Sequence, residues 1–139
     1  MDTKFSVAVH LLILISESAE PIHSEQMAES VGTNASYVRK ILALLKRAGI
    51  IDGHQGVSGY SLQIAPGQLT LLQVYQAVTE APKVHLLDIH QNANDQCIVG
   101  RYIKPTLTDL FSDVEEAFAR SLAEKTLADC IGNIRKQLN

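Results

Sequence analysis

From Phe5 to Ile15 the chain is almost wholly apolar, interrupted only by Ser6 and His10. Such a run predicts a helix enclosed by other elements on every side rather than one lying on a surface. Thr3 offers an N-cap, and Glu20-Pro21 ends the helix because proline disfavours helical geometry in the residue before it. Ser24 can cap a short second helix, Glu25 to Val31, with Gly32 as its C-terminal stop. Asn34 can cap a third, in which Val38, Ile41, Leu42, Leu45 and Ala48 fall on one face. Gly49 ends it, and the period then changes. Ile50-Ile51 and Tyr60 to Ile64 read as short strands around a turn with Gly53, Gly56 and Gly59, which is a β-hairpin. Ala65-Pro66-Gly67 closes the hairpin. Thr70 can cap a fourth helix, Leu71 to Glu80, with Leu71, Val74, Tyr75 and Val78 as its apolar stripe.

Periodicity fades over residues 83–100, which read as a partly ordered connection. A long helix is expected to begin between Arg101 and Thr106, with Pro105 in its first turn, and to reach about Lys125. Leu107, Leu110, Phe111, Val114, Ala117, Phe118 and Leu122 keep helical spacing along it, a stripe that has to bury against something. Thr126 and Asp129 are spaced as a capping box opening a last helix to about Leu138. The fold class is therefore mainly α with a small β-hairpin. Residues 1–82 are expected to form one compact domain, 83–100 a connection, and 101–139 a long helix and a C-terminal helix.

Composition supports this picture. A chain of 139 residues is one domain, or a small domain with an extra arm. With 46% apolar and 5% aromatic residues and no tryptophan, the core must be aliphatic. The formal net charge of −3 gives no global sign of nucleic-acid binding, but charge is segregated. Between Gly32 and Ile51 stand Arg39, Lys40, Lys46 and Arg47 with no acid, while Asp109, Asp113, Glu115 and Glu116 crowd the long helix. Cys97 and Cys130 are too few for a disulfide framework, which points to a reducing cytoplasm. The N-terminal apolar run makes a poor signal peptide, since Asp2 spoils its basic flank, and it is too short to span a bilayer. No membrane association is expected.

Two short helices joined by Gly32-Thr33-Asn34, the second basic, with an aliphatic helix before and a glycine-rich hairpin after, form the winged helix-turn-helix order. In that arrangement the second helix enters the major groove of double-stranded DNA and the wing lies along the backbone or minor groove. Ser36, Tyr37, Arg39 and Lys40 are then the candidate contacts at its start. Arg39 suits a bidentate pair with a guanine edge, whereas Lys40, Lys46 and the amides opening the Ser24 helix suit phosphate oxygens. Four cations on one helix would also suit a merely solvated face; the turn before it and the hairpin after it favour DNA.

These residues resemble the Rrf2-type winged-helix repressors, the group of IscR, NsrR and CymR. The resemblance rests on Thr3 to Val9, on Ser36-Tyr37-Val38-Arg39-Lys40-Ile41-Leu42, on Ala48-Gly49-Ile50-Ile51, and on Gly56, Gly59 and Tyr60. Leu69 to Val74 and Thr126 to Asp129 continue it, so that only residues 83–96 lack a clear counterpart. It implies a homodimer whose long helices cross and whose recognition helices face a palindromic operator. It adds Lys4 and the wing residues His54, Gln55 and Gly56 to the DNA contacts. Where many members have an arginine before the wing glycine, this chain has Gln55, which weakens minor-groove anchoring. Cluster-sensing members are similar to one another in three close cysteines before the long helix; here only Cys97 stands there, so no iron–sulfur cluster and no other cofactor is expected.

His85, His90 and Cys97 match no structural zinc spacing, and no metal site is assigned to them. Cys97 is a candidate redox thiol, being near a helix start, while Cys130 reads as a packed residue. No phosphate-binding loop or nucleophile motif is present, so the chain does not read as an enzyme. The alternative to a DNA reader is a winged-helix module that binds protein alone, in keeping with five cations against six acids in residues 1–65.

Overall fold

The computed structural model describes residues 2–53 and 59–139. Along the chain run α1 (Lys4–Glu17), α2 (Ser24–Val31), α3 (Ala35–Arg47), β1 (Ile51–Gly53), β2 (Tyr60–Leu62), α4 (Leu71–Thr79), α5 (Ile98–Ala123) and α6 (Leu127–Leu138). The architecture is mainly helical with one antiparallel hairpin, in the register Ile51 to Leu62, Asp52 to Ser61 and Gly53 to Tyr60.

One aliphatic core holds α1 to α4 together. Val7, Ala8, Leu11, Leu12 and Ile15 of α1 meet Met27 and Ala28 of α2, and Val38, Ile41, Leu42 and Leu45 of α3. Ile50, Ile51, Leu69, Val74 and Val78, with Leu127 and Ile131 of α6, complete it. Helix α1 is enclosed on one side only: Val7, Ala8, Leu11, Leu12 and Ile15 are buried, whereas Val9, Ile13 and Leu14 are half-covered and line a cleft with Ile134 and Leu138 of α6. Its all-round apolar sequence does not mean burial on every side. Gly32 turns α2 into α3 with a left-handed backbone (φ +84°), a conformation that a side chain would strain.

Capping is partly as expected. Asn34 accepts the Tyr37 amide at 2.8 Å, and the Thr70–Gln73 and Thr126–Asp129 boxes are closed on both sides. Two caps differ. Thr3 makes no side-chain cap; the Asp2 carboxylate accepts the Lys4 amide instead, at 3.0 Å. Ser24 is not a cap either. Gln26 reaches back to the His23 amide at 2.9 Å, which starts α2 one residue earlier and turns Ser24 inward, where it is fully buried.

Helix α5 also starts earlier than expected, at Ile98, so Pro105 lies inside it rather than in its first turn. The extra turn is made possible by Gly100, where a Cβ would meet the Asn94 carbonyl at 2.1 Å. The preceding connection has no regular element from Pro82 to Asn92, yet it is tied down. Val84 is buried, and the Glu115 carboxylate on α5 accepts the amides of Leu86 and Leu87, the latter at 3.0 Å. Those two amides hold the Glu115 carboxyl below its ordinary pKa.

Helix α5 packs along α4, where Tyr75 stands edge-on between Phe5 and Phe118. None of its 26 residues is buried. Ile103, Leu107, Phe111, Phe118 and Leu122 are half-covered, whereas Val99, Tyr102, Leu110 and Val114 on the adjoining face stand open to solvent. Helix α6 returns to the core. Leu127 is fully buried, its amide donates to the Leu69 carbonyl at 2.9 Å, and the Leu71 amide donates to Lys125 at 2.9 Å. Among the described residues no helix is long and apolar enough to cross a membrane.

Candidate nucleic-acid interface

Helix α3 has two unlike faces because its apolar residues recur at helical spacing. Val38, Ile41, Leu42 and Leu45 are sealed into the core, and this fixes the helix so that Ser36, Arg39 and Lys40 point outward from its first half. Tyr37 is half-buried against the core, with its amide spent on the Asn34 cap. Ser36, Arg39 and Lys40 therefore share one exposed edge of α3.

Arg39 is not a loose side chain. Its Nη1 donates to Ser24 Oγ at 3.2 Å and lies 3.8 Å from Glu25 Oε1. Both charged side chains are about half exposed (47% and 63%), so the pair contributes at most about 1 kcal/mol to stability. Its consequence is orientation. Tyr60, the first residue of β2, belongs to the same cluster: burial pushes its phenol up, with Arg39 and Glu25 acting on it in opposite directions.

The remaining candidates spread out. Lys46, at the far end of α3, donates its Nζ to the Gly53 carbonyl at 2.8 Å and so ties the helix to the root of the hairpin. Arg47 pairs at 3.0 Å with Glu80, the C-cap of α4, away from the edge that Ser36, Arg39 and Lys40 share. Lys4 lines a cleft of about 470 Å³ with Phe5, Tyr75, His85 and Phe118, apart from the α3 set. His54, Gln55 and Gly56 lie outside the described residues. Glu25 was not marked from sequence as a partner of Arg39. Its only signal there is an acid at a helix start, which the helix dipole explains equally well.

Toward the other end of the molecule, Cys97 is the exposed N-cap of α5. The amides of Gly100 and Val99 beside its sulfur hold the thiol below its ordinary pKa. Cys130, half-buried in α6, is pushed up by burial and by the neighbouring Asp129. His85 bonds Asp88 at 2.7 Å, which raises its pKa, and lies 3.7 Å from Glu115. Among the described residues no group of three His, Cys, Asp or Glu side chains comes together that fits a metal ion.

A helix pair with a basic, solvent-facing second member, flanked by an antiparallel hairpin, defines a winged-helix DNA-binding protein. The chain belongs to the Rrf2 family, described as iron-dependent transcriptional regulators, whose family model matches residues 1–133. It is 38% identical over 134 residues to YwnA of Bacillus subtilis (strain 168), named as an HTH-type transcriptional regulator, covering 96% of this chain and 98% of that one. A solved structure described as a DNA-binding protein matches at 38% identity and a TM-score of 0.74, covering 92% of this chain and 98% of that chain. CymR (YrzC), the global cysteine regulator of B. subtilis, shares the fold at a TM-score of 0.70 and 15% identity, over 96% of each chain. The protein is a DNA-binding transcriptional regulator. Among the described residues, His85, Cys97 and Cys130 with the nearby carboxylates do not come together as a donor set that fits the iron in the family's description.

Proposed function

We propose that this protein is a cytoplasmic repressor that binds a palindromic operator as a homodimer, with no catalytic residue and no bound cofactor. The observation that carries the reading is the two-faced α3, whose buried side fixes Ser36, Arg39 and Lys40 on a common exposed edge. Arg39 would pair with a guanine edge in the major groove, with Ser36, Tyr37 and Lys40 beside it. Lys4 and Lys46 would meet phosphates; Ser24, expected from the sequence as a phosphate contact, is fully buried beneath Arg39 and beside the Glu25 carboxylate and drops out of that set. His54, Gln55 and Gly56 would follow the adjacent minor groove. Residues 1–82 then act as the reading head, 83–100 as the connection, and 101–139 as the dimerisation arm, with α6 folded back on the head. Support for the dimer comes from the open apolar face of α5, where Val99 is 67% exposed and Leu110 56%. A dimer seated across two successive major grooves blocks polymerase by occupying the same DNA, which is the simplest route to repression.

The reading is tested by recovering bound sequences from genomic fragments at two salt concentrations, with Arg39→Ala in parallel. A selective sequence whose binding weakens with salt, and a loss of selectivity of about tenfold or more in the variant, are expected. Binding without selectivity at either salt would remove the operator from the reading.

Cys97 belongs to the proposal as a thiol open to oxidation. Amides at a helix start stabilise the thiolate, which is the nucleophile, so reaction at Cys97 should set in at lower pH than at Cys130. Iodoacetamide at neutral pH is expected to label Cys97 about tenfold faster or more, read by peptide mass spectrometry. Equal rates at the two cysteines would argue against it.

A further inference from the structure

Among the nitrogens of the Arg39 guanidinium, Nη1 is occupied, at 3.2 Å from Ser24 Oγ and 3.8 Å from Glu25 Oε1, while Nε and Nη2 make no hydrogen bond among the described residues. The anchor is firm. Ser24 is fully buried, so its hydroxyl cannot follow the arginine outward, and it lies 3.3 Å from Glu25 Oε2. A guanine edge is read by two adjacent, coplanar N–H donors, which an arginine supplies either from its two terminal nitrogens or from Nε and Nη2. Nη1 spends one of its two N–H groups on Ser24, so the Nε–Nη2 edge is the donor pair left clear of α2, and the α2 contact orients the plane in which it lies. Tyr60 closes the cluster from the hairpin side, near enough to Arg39 and Glu25 for both to act on its phenol.

We propose that Glu25 is a specificity-determining positioning residue for DNA reading: with Ser24 it fixes the Arg39 guanidinium so that its Nε–Nη2 edge meets a purine. The inference rests on the reading of Arg39 as a base contact. Glu25 also has a second effect. An arginine beside a DNA backbone is drawn toward phosphate oxygens, a contact that carries no sequence information. A carboxylate at the start of α2 competes for that arginine and repels phosphate from the same corner, so it suppresses binding to unrelated DNA as well as aligning binding to the operator.

The experiment uses the full chain and an operator obtained from it by selection. Affinity is measured for that operator, for the operator with the Arg39-dependent base pair exchanged, and for an unrelated duplex. Glu25→Gln, which keeps size and loses charge, is expected to tighten binding to the unrelated duplex and to lower discrimination at that base pair about tenfold. Glu25→Asp, with a shorter reach, should fall between the two. In an Arg39→Ala background Glu25→Gln should change discrimination no further, whereas a merely structural role would leave an effect in both backgrounds. Glu25→Gln discriminating as well as the unaltered protein, while Arg39→Ala does not, would overturn the inference and leave the base-reading role of Arg39 standing. Discrimination that survives Arg39→Ala would remove that role, and the inference with it.

Discussion

Leu110→Glu combined with Val114→Glu is expected to yield a folded monomer whose operator affinity is at least about a hundredfold weaker than that of the unaltered chain. Both residues face solvent on α5, at 56% and 52% exposure, so the added carboxylates cost an isolated chain little, within about 0.5 kcal/mol each. Between two copies the same carboxylates would be buried against each other without partners, at a cost of several kcal/mol per charge. The loss of affinity follows from linkage. A dimer that has bound one half-site meets the second at the high effective concentration set by its own arm, and a monomer has no such advantage. Sedimentation velocity reads the assembly state, operator titration reads the affinity, and circular dichroism confirms that the variant folds. A variant that remains dimeric with undiminished affinity would move the interface off this face of α5.

The elements that were legible in the sequence are those whose signals are local. The 3.6-residue spacing of Val38, Ile41, Leu42 and Leu45 identified α3 and its outward edge in one step, since a buried stripe leaves only one side for contacts. Asn34, Thr70 and Thr126 announced helix starts because a cap and the amide that donates to it lie three residues apart. What stayed hidden depends on contacts between distant residues. Nothing near Leu86 shows that the amides of the connection end on Glu115, 29 residues further on, and so a segment without periodicity read as loosely held. Arg39 was legible as a donor, but its tether to Ser24 spans 15 residues and a turn. Even the helix starts that differed have this character. Ser24 is the residue type that caps helices, yet its place at the α2–α3 contact turned it inward and left the start to His23 and Gln26. The protein-only reading was favoured by the balance of charge in residues 1–65, a sum that cannot register that Arg39 and Lys40 share one exposed edge while Arg47 is paired elsewhere.

Leu127→Ala is expected to destabilise the whole protein by about 2–5 kcal/mol and to lower its Tm by on the order of 10 °C. The side chain is fully buried, at the point where α6 rejoins the core, and truncating it both loses apolar burial and leaves a cavity that the surrounding helices cannot fill without strain. The contact is made across a long detour. Helix α5, 26 residues long, packs against the nine-residue α4 over part of its length before the chain returns, and the Leu127 amide then bonds Leu69, between the hairpin and α4. With Ile131 also buried, α6 should melt with α1 to α4 as one cooperative unit, not as a separate tail. Thermal unfolding followed by circular dichroism should therefore show a single transition, shifted down. Leu138→Ala, at the exposed end of the same helix, should move it by no more than about 0.5 kcal/mol. Two resolved transitions, or a Leu127→Ala variant as stable as the unaltered chain, would mean that α6 does not share the stability of the reading head. Its burial against Leu69 would then not help to hold the hairpin and α3 in place.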